Sequence, residues 1–301
     1  DEGVDAVIGP LDRGQIAPLL ELPDTGLTIL LLNRPSAPSA FIPETEPARS
    51  VAILALPPEE EAELAAVRAL VENHRRALVI ARSSDWGARV ANRFIETFEL
   101  GGGRVLARAD YDAQTFDHTD QLEVLLRLDR SQRRIDTLAE VLGQPVEAQA
   151  RRRTDADLIF MAAPGGDARQ IKPQLRFLDA GNLTTFATSH VYSDGRNDRD
   201  LQDIEFPASP WLLQDTVAGG LRQQVEQQFP GLSSLALSQL HALGRDALAL
   251  LPWLDEMKRD RQLYLAGQVG RLRLSDGVLF ERDLPWARID QGRIVEYTEP
   301  Q

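Results

Sequence analysis

Apolar residues come in short unbroken runs separated by longer stretches in which they recur every three or four positions, and the two patterns alternate along most of the chain. The mostly apolar runs cover residues 27–32, 50–56, 77–81 and 157–162, and shorter strand-like runs with polar residues among them lie at 4–8, 104–109 and 185–188. A run without polar alternation predicts a strand covered on both faces, as in parallel sheets. The helical spacings lie between them: Ile16, Leu19 and Leu20; Leu64, Val67, Leu70 and Val71 after Pro57-Pro58; Val90, Phe94, Ile95 and Phe98 up to Gly101. Leu122, Leu125 and Leu126 follow a capping Thr119, and Ile135, Leu138 and Leu142 follow Ser131 and stop at Gly143 and Pro145. Ile171, Leu175 and Leu178 form the next helix, with Gly181 placed to close it in the left-handed conformation. Two more follow: Val217, Leu221 and Val225 behind Asp215, and Leu240, Leu243, Ala247, Leu248 and Leu251 within 237–254, with His241 packed beside that face.

Only the last part of the chain alternates strictly. Residues 270–282 read as two strands around Asp276-Gly277, and residues 285–297 repeat this around Asp290-Gln291-Gly292. Strands alternating with helices predict an α/β architecture of parallel sheets flanked by helices. The strands are too many for one doubly wound sheet, so two are expected. The chain is expected to change lobe at two connections, the proline-rich 35–47 and the polar 193–210.

Charge narrows the function. A net charge of −13 with a pI near 4.9 argues against a nucleic-acid-binding body, which needs Lys and Arg across a face. Against this background residues 127–153 carry seven arginines and four acids, which makes them a candidate contact surface. The run Glu59, Glu60, Glu61 and Glu63 has a structural account, since acids in the first turn and His74, Arg75 and Arg76 after the last match the helix dipole. Gly165-Gly166-Asp167 opens a helix without a full glycine fingerprint, so Asp167 reads as a cap rather than part of a phosphate loop. Asp194, Asp198, Asp200 and Asp203 lack the spacing of a calcium loop. There is no cysteine, and the four histidines (74, 118, 190, 241) form no zinc pattern; Gly-x-Ser-x-Gly is also missing. No metal, cofactor or catalytic residue is therefore expected. No run reaches membrane-spanning length, and residues 1–5 show neither a basic region nor an apolar signal core.

Residues 4–11 (VDAVIGPL), the Ser83…Asp85-Trp86-Gly87 turn with its following helix and Gly101-Gly102-Gly103, and the 270–282 hairpin resemble the type I periplasmic binding proteins. Within that superfamily, residues 172–193, 131–138 (SQRRIDTL) and 151–155 (RRRTD) are more similar to the LppC/LpoA lipoproteins. The resemblance implies a two-lobed fold: 1–75 as the first part of lobe 1, lacking the first two strand–helix units; 76–204 as lobe 2; 205–281 returning to lobe 1; 282–301 as final strands of lobe 2. It also implies an outer-membrane lipoprotein in the periplasm that binds and activates a class A penicillin-binding protein in peptidoglycan synthesis, without being an enzyme. Full-length members begin with a lipidated cysteine and a helical repeat domain, neither of which is in this sequence, so membrane association would come only through an anchor absent from this chain.

Two sets of residues follow. Arg133, Arg134, Arg151, Arg152, Arg153, His190 and Tyr192 are the expected partner contacts. If the chain is instead a periplasmic receptor for an amino acid or cell-wall peptide, strand-end residues should line its cleft: Gly9, Asn33, Ser83, Asp85, Tyr111, Ala163 and Ser189. The sequence lacks the Ser/Thr-rich edge and paired tyrosines that amino-acid receptors of this fold use. Catalysis is the weakest of the three readings, since His190 alone stands at a strand end.

Overall fold

The computed structural model describes residues 3–21, 26–35, 51–192, 198–213, 215–232 and 234–297. Most of the proline-rich connection and residues 193–197 of the polar one lie outside the described residues. The strands are β1 (Ala6–Ile8), β2 (Thr28–Leu31), β3 (Val51–Ile53), β4 (Arg76–Arg82), β5 (Arg104–Tyr111), β6 (Leu158–Ala162), β7 (Thr184–Ala187), β8 (Ile204–Pro207), β9 (Tyr264–Ala266), β10 (Arg271–Ser275), β11 (Leu279–Asp283), β12 (Trp286–Asp290) and β13 (Arg293–Glu296). The helices are α1 (Ile16–Leu20), α2 (Pro58–Val71), α3 (Asp85–Leu100), α4 (Thr119–Leu126), α5 (Leu128–Leu142), α6 (Gly165–Phe177), α7 (Val217–Gln228), α8 (Leu235–Leu250) and α9 (Leu254–Arg259).

The strands form two sheets, as the alternation predicts. One runs β1-β2-β3-β11-β10-β9 and the other β13-β12-β8-β7-β6-β4-β5. Both are parallel at heart, and the C-terminal hairpins add antiparallel strands to each. The chain divides into two compact units, residues 1–57 with 208–285 and residues 58–207 with 286–301. Each junction falls at a proline: Pro57-Pro58, Pro207 and Pro285. These junctions lie at 57/58, 207/208 and 285/286, beside lobe boundaries expected at 75/76, 204/205 and 281/282.

Burial on both faces explains the unbroken apolar runs. In the first unit Leu30, Ala52 and Leu54 pack with Trp211, Leu243 and Phe280, while Leu31, Val51 and Ile53 pack on Ile16 on the other side of the sheet. In the second, Val79 and Phe160 join Phe94 and Phe98, with Phe94 and Phe160 stacked at 4.1 Å, while Leu78 and Ile80 are equally buried on the opposite face.

Helix α2 belongs to the second unit for a reason that corrects its expected face. Its buried side is Ala62, Ala65, Ala66 and Ala69, whereas Val67 and Val71 are exposed. Small side chains let α2 lie close to α3, and the glutamates then reach across, Glu59 to Arg89 at 2.7 Å and Glu63 to Arg93 at 2.5 Å. Helix α5 buries only Ser131, so its stripe of Leu138 and Leu142 is left uncovered. The polar connection holds a missed strand, β8, in which Ile204 and Phe206 are buried. β9 was also not anticipated. Gly181 does not end α6 in the left-handed region: Asp179 takes that conformation, and a Cβ on Gly181 would meet Arg176 Cγ at 2.6 Å. Thr216, not Asp215, caps α7, and α4 has no side-chain cap at His118, so Thr119 is its first helical residue.

Candidate functional site

In the seven-stranded sheet the strand order reverses at β4, because β5 lies on one side of it and β6 on the other. Loops leave such a point in opposite directions, which opens a crevice outside the carboxyl ends of the strands. Ser83, Asp85, Tyr111, Ala163 and Ser189 all follow or end β4, β5, β6 and β7 there, so five of the seven expected cleft residues share one sheet edge. The other two, Gly9 and Asn33, follow the neighbouring strands β1 and β2 of the first unit. Gly9 N–H donates to the Leu30 carbonyl at 2.8 Å, and Asn33 Nδ2 donates to the Leu11 carbonyl at 3.1 Å.

Local sequence fixes the edge of the second unit. Ser84 caps α3, its Oγ accepting from Gly87 N at 3.2 Å. Gly87 must be glycine, since a Cβ there would stand 2.1 Å from the Arg82 carbonyl oxygen. Ser83 N–H donates to the Tyr111 carbonyl at 2.8 Å, which ties β4 to β5. Ala163 is fully buried.

Several polar groups behind this edge are already occupied, whereas the buried Thr188 Oγ1 and His118 Nδ1 have no hydrogen-bond partner among the described residues. The Tyr111 hydroxyl donates to Asp167 Oδ2 at 2.8 Å, with Arg82 Nε 3.8 Å from the same carboxylate. Burial, and then that carboxylate, push the Tyr111 phenol well above its ordinary value. Asp167 lies in the first turn of α6 and faces Tyr111, which corrects its reading as a cap. The His118 ring meets Tyr111 edge-on at 5.1 Å, and burial lowers its pKa, so it stays neutral at pH 7. Ser189 gives both donors to one buried carboxylate: its N–H to Glu61 Oε2 at 2.7 Å and its hydroxyl to Glu61 Oε1 at 2.9 Å. Sequence reasoning assigned Glu61 to the helix dipole and missed this role. Its only local signal is a glutamate one residue from the alanine face of α2. What the edge presents to solvent is Ser83, Asp85 and the exposed His190 ring, 5.3 Å from Trp86. Among the described residues no group of three His, Asp or Glu is placed to hold a metal ion.

The expected partner contacts separate into exposed and buried residues. Arg133 pairs with Asp129 one turn away on α5, and Arg134 is exposed beside it. Arg151 is exposed, and its backbone N–H donates to Ser131 Oγ at 3.0 Å. Arg152 is held by three acceptors: the Asp179 carbonyl at 2.6 Å, the Arg153 carbonyl at 2.9 Å and Asn182 Oδ1 at 3.2 Å. Arg153 and Tyr192 are buried, so neither offers its side chain to a partner. Arg153 instead chelates Asp155 at 2.6 and 2.9 Å and holds that carboxyl at about 2. Its backbone N–H donates to the Leu126 carbonyl at 2.8 Å, which ties the segment before β6 to the end of α4.

A family model described as LppC putative lipoprotein matches residues 1–292. The penicillin-binding protein activator LpoA of Vibrio cholerae serotype O1 is 28% identical over 294 residues, which is 94% of this chain and 46% of that protein. The chain thus spans about half the length of the curated relatives it matches. The LpoA (YraM) C-domain from Haemophilus influenzae, a regulator of PBP1A, has a TM-score of 0.71 at 21% identity, covering 98% of this chain and 83% of that one. An ABC transporter substrate-binding protein from Desulfitobacterium hafniense in complex with Leu gives 0.57 at 16% identity, covering 99% and 81%. These structural likenesses are to the fold, the periplasmic-binding-protein-like α/β architecture that the resemblance implies.

Proposed function

The chain belongs to the LppC lipoprotein family, and we propose that it acts in the periplasm as a non-enzymatic regulator that binds and activates a class A penicillin-binding protein. The match across nearly the whole chain to relatives named as penicillin-binding protein activators carries this reading. A lipid anchor, which the family's description as a lipoprotein suggests, would hold the protein at the outer membrane.

The internal pairing of Tyr111 and Ser189 supports a protein-docking role over a solute receptor. A charged amino acid needs free donors and acceptors at the strand ends. In the second unit the Tyr111 and Ser189 side chains spend theirs on Asp167 and Glu61. The exposed arginines of 133–152 and His190 remain for contact with a partner. An activator of this kind works by binding the active form of its target more tightly than the inactive one. A tenfold change in that equilibrium requires about 1.4 kcal/mol of differential affinity.

Binding is tested by immobilising the periplasmic part of a class A penicillin-binding protein from the same organism and titrating this chain. Saturable binding is expected. Absence of binding by the folded chain, together with a rise in its melting temperature on adding an amino acid or cell-wall peptide, would replace this reading with the receptor one.

A further inference from the structure

At the other end of the same sheet, where the chain enters β6 and β7, residues 147–154 and 176–182 border an open groove of about 1270 Å³. Arg151, Arg152 and Arg176 line it, with Glu147 and Asp179 as its acids. Arg152 is fixed in the wall by its three acceptors. Arg151 and Arg176 are exposed, and their guanidinium groups have no hydrogen-bond or ion-pair partner among the described residues. Arg176 also repels Lys172 one turn earlier on α6, so an incoming carboxylate would relieve an existing like-charge contact.

The groove continues into a smaller pocket of about 270 Å³, with which it shares Ala150 and Asp179. Leu128, Phe177 and Leu178 give this pocket an apolar wall, Glu123, Gln132 and Asp129 (paired with Arg133) line it too, and Phe177 is 84% exposed. A large apolar ring left in water beside two unpartnered cations is what an interface presents before its partner arrives.

We propose that this groove seats an acidic, extended segment of the partner protein, with one bulky apolar side chain of that segment against Phe177 and its carboxylates on Arg151 and Arg176. The proposal rests on the activator reading above and names the chemistry of the contact. The groove is larger and more open than a small-molecule pocket, which suits a polypeptide. A chain of net charge −13 repels a polyanion or an anionic membrane at long range, so a short acidic stretch fits this local patch better than either. The same global charge disfavours a second copy of this chain as the occupant.

The experiment measures affinity of the chain for the immobilised class A penicillin-binding protein. It compares the unsubstituted chain, Arg151→Glu/Arg176→Glu, Phe177→Ser, and Arg259→Glu as a charge reversal in the other unit. Thermal melts confirm that each variant is folded, and Arg151→Glu alone replaces the double variant if that one is not. The double reversal is expected to lower affinity about tenfold or more and to flatten its salt dependence, while Arg259→Glu leaves it unchanged. A photo-crosslinking amino acid placed at position 177 should attach to a partner peptide carrying several Asp or Glu. Failure of the unsubstituted chain to bind overturns this proposal together with the activator reading. Binding that survives both groove variants overturns this proposal alone, as does a crosslink to a second copy of the chain or to a partner segment without carboxylates.

Discussion

Lys172 lies on α6 and is 1% exposed, and its ammonium donates to Thr185 Oγ1 at 2.8 Å as its one side-chain hydrogen bond among the described residues. Burial, and then Arg176, lower its pKa from 10.5 to about 8, with Asp203 opposing them. Holding that charge therefore costs the folded state roughly 3 kcal/mol at about 1.4 kcal/mol per tenfold change. Lys172→Met keeps most of the volume and removes the charge. The Thr185 hydroxyl loses one partner but still donates to the Leu183 carbonyl at 3.0 Å, so the loss is about 1 kcal/mol. A net gain of about 1–2 kcal/mol at pH 7 is expected, or a rise of several degrees in the melting temperature of the second unit. The sign of the pH dependence follows from a lowered folded-state pKa for a base. Below pH 8 both states are protonated and the full penalty stands. Between 8 and 10.5 the unfolded chain binds more protons, so the natural protein gains stability with rising pH. The advantage of Lys172→Met should therefore shrink across that window. Chemical denaturation of both proteins from pH 7 to 10 cancels the titration of Tyr111 and other shared groups. A destabilised Lys172→Met, or a difference that does not vary with pH, would refute the reasoning.

Glu61→Gln leaves one of the two Ser189 donors poorly matched, so a loss of about 1–3 kcal/mol is expected in denaturant titrations, against about 1 kcal/mol for Ser189→Ala. Gly87→Ala forces the start of α3 away from β4 and should cost at least about 2 kcal/mol, read as a lower unfolding midpoint. Asp155 titrates at about 2 chiefly because Arg153 chelates it; in Arg153→Met the midpoint of its carboxyl resonance should move upward, while Arg127 still holds it below the ordinary carboxylate value. That contribution to stability is present above pH 4 and is lost as pH falls toward 2, so the variant should also show a weaker acid dependence between those values.

The strands that build both sheet centres were legible because each is buried on two faces and therefore reads as an unbroken apolar run. β8 was not, because Glu205 interrupts Ile204 and Phe206, and its charge is answered by Arg288 at 2.6 and 3.0 Å from a strand 83 residues later. The same non-local pairing hid Glu61, whose partner Ser189 is 128 residues away. On α2 the larger side chains suggested the wrong face, since close approach to α3 selects Ala62, Ala65, Ala66 and Ala69. The arginine-rich stretch announced itself by charge. Which of its side chains face solvent depended on Asp155 folding back onto Arg153, while Asp179 and Asn182 fix Arg152 from another element. The clustering of Ser83, Asp85, Tyr111, Ala163 and Ser189 at one edge followed from strand order, but the internal partners of Tyr111 and Ser189 did not.

The central claim is regulation by binding, and the measurement that tests it most directly is the rate of peptidoglycan synthesis by a purified class A penicillin-binding protein titrated with this chain. The account expects the rate to rise to a plateau, with half-effect at the concentration that half-saturates binding. An unchanged rate at saturating, folded chain would contradict it.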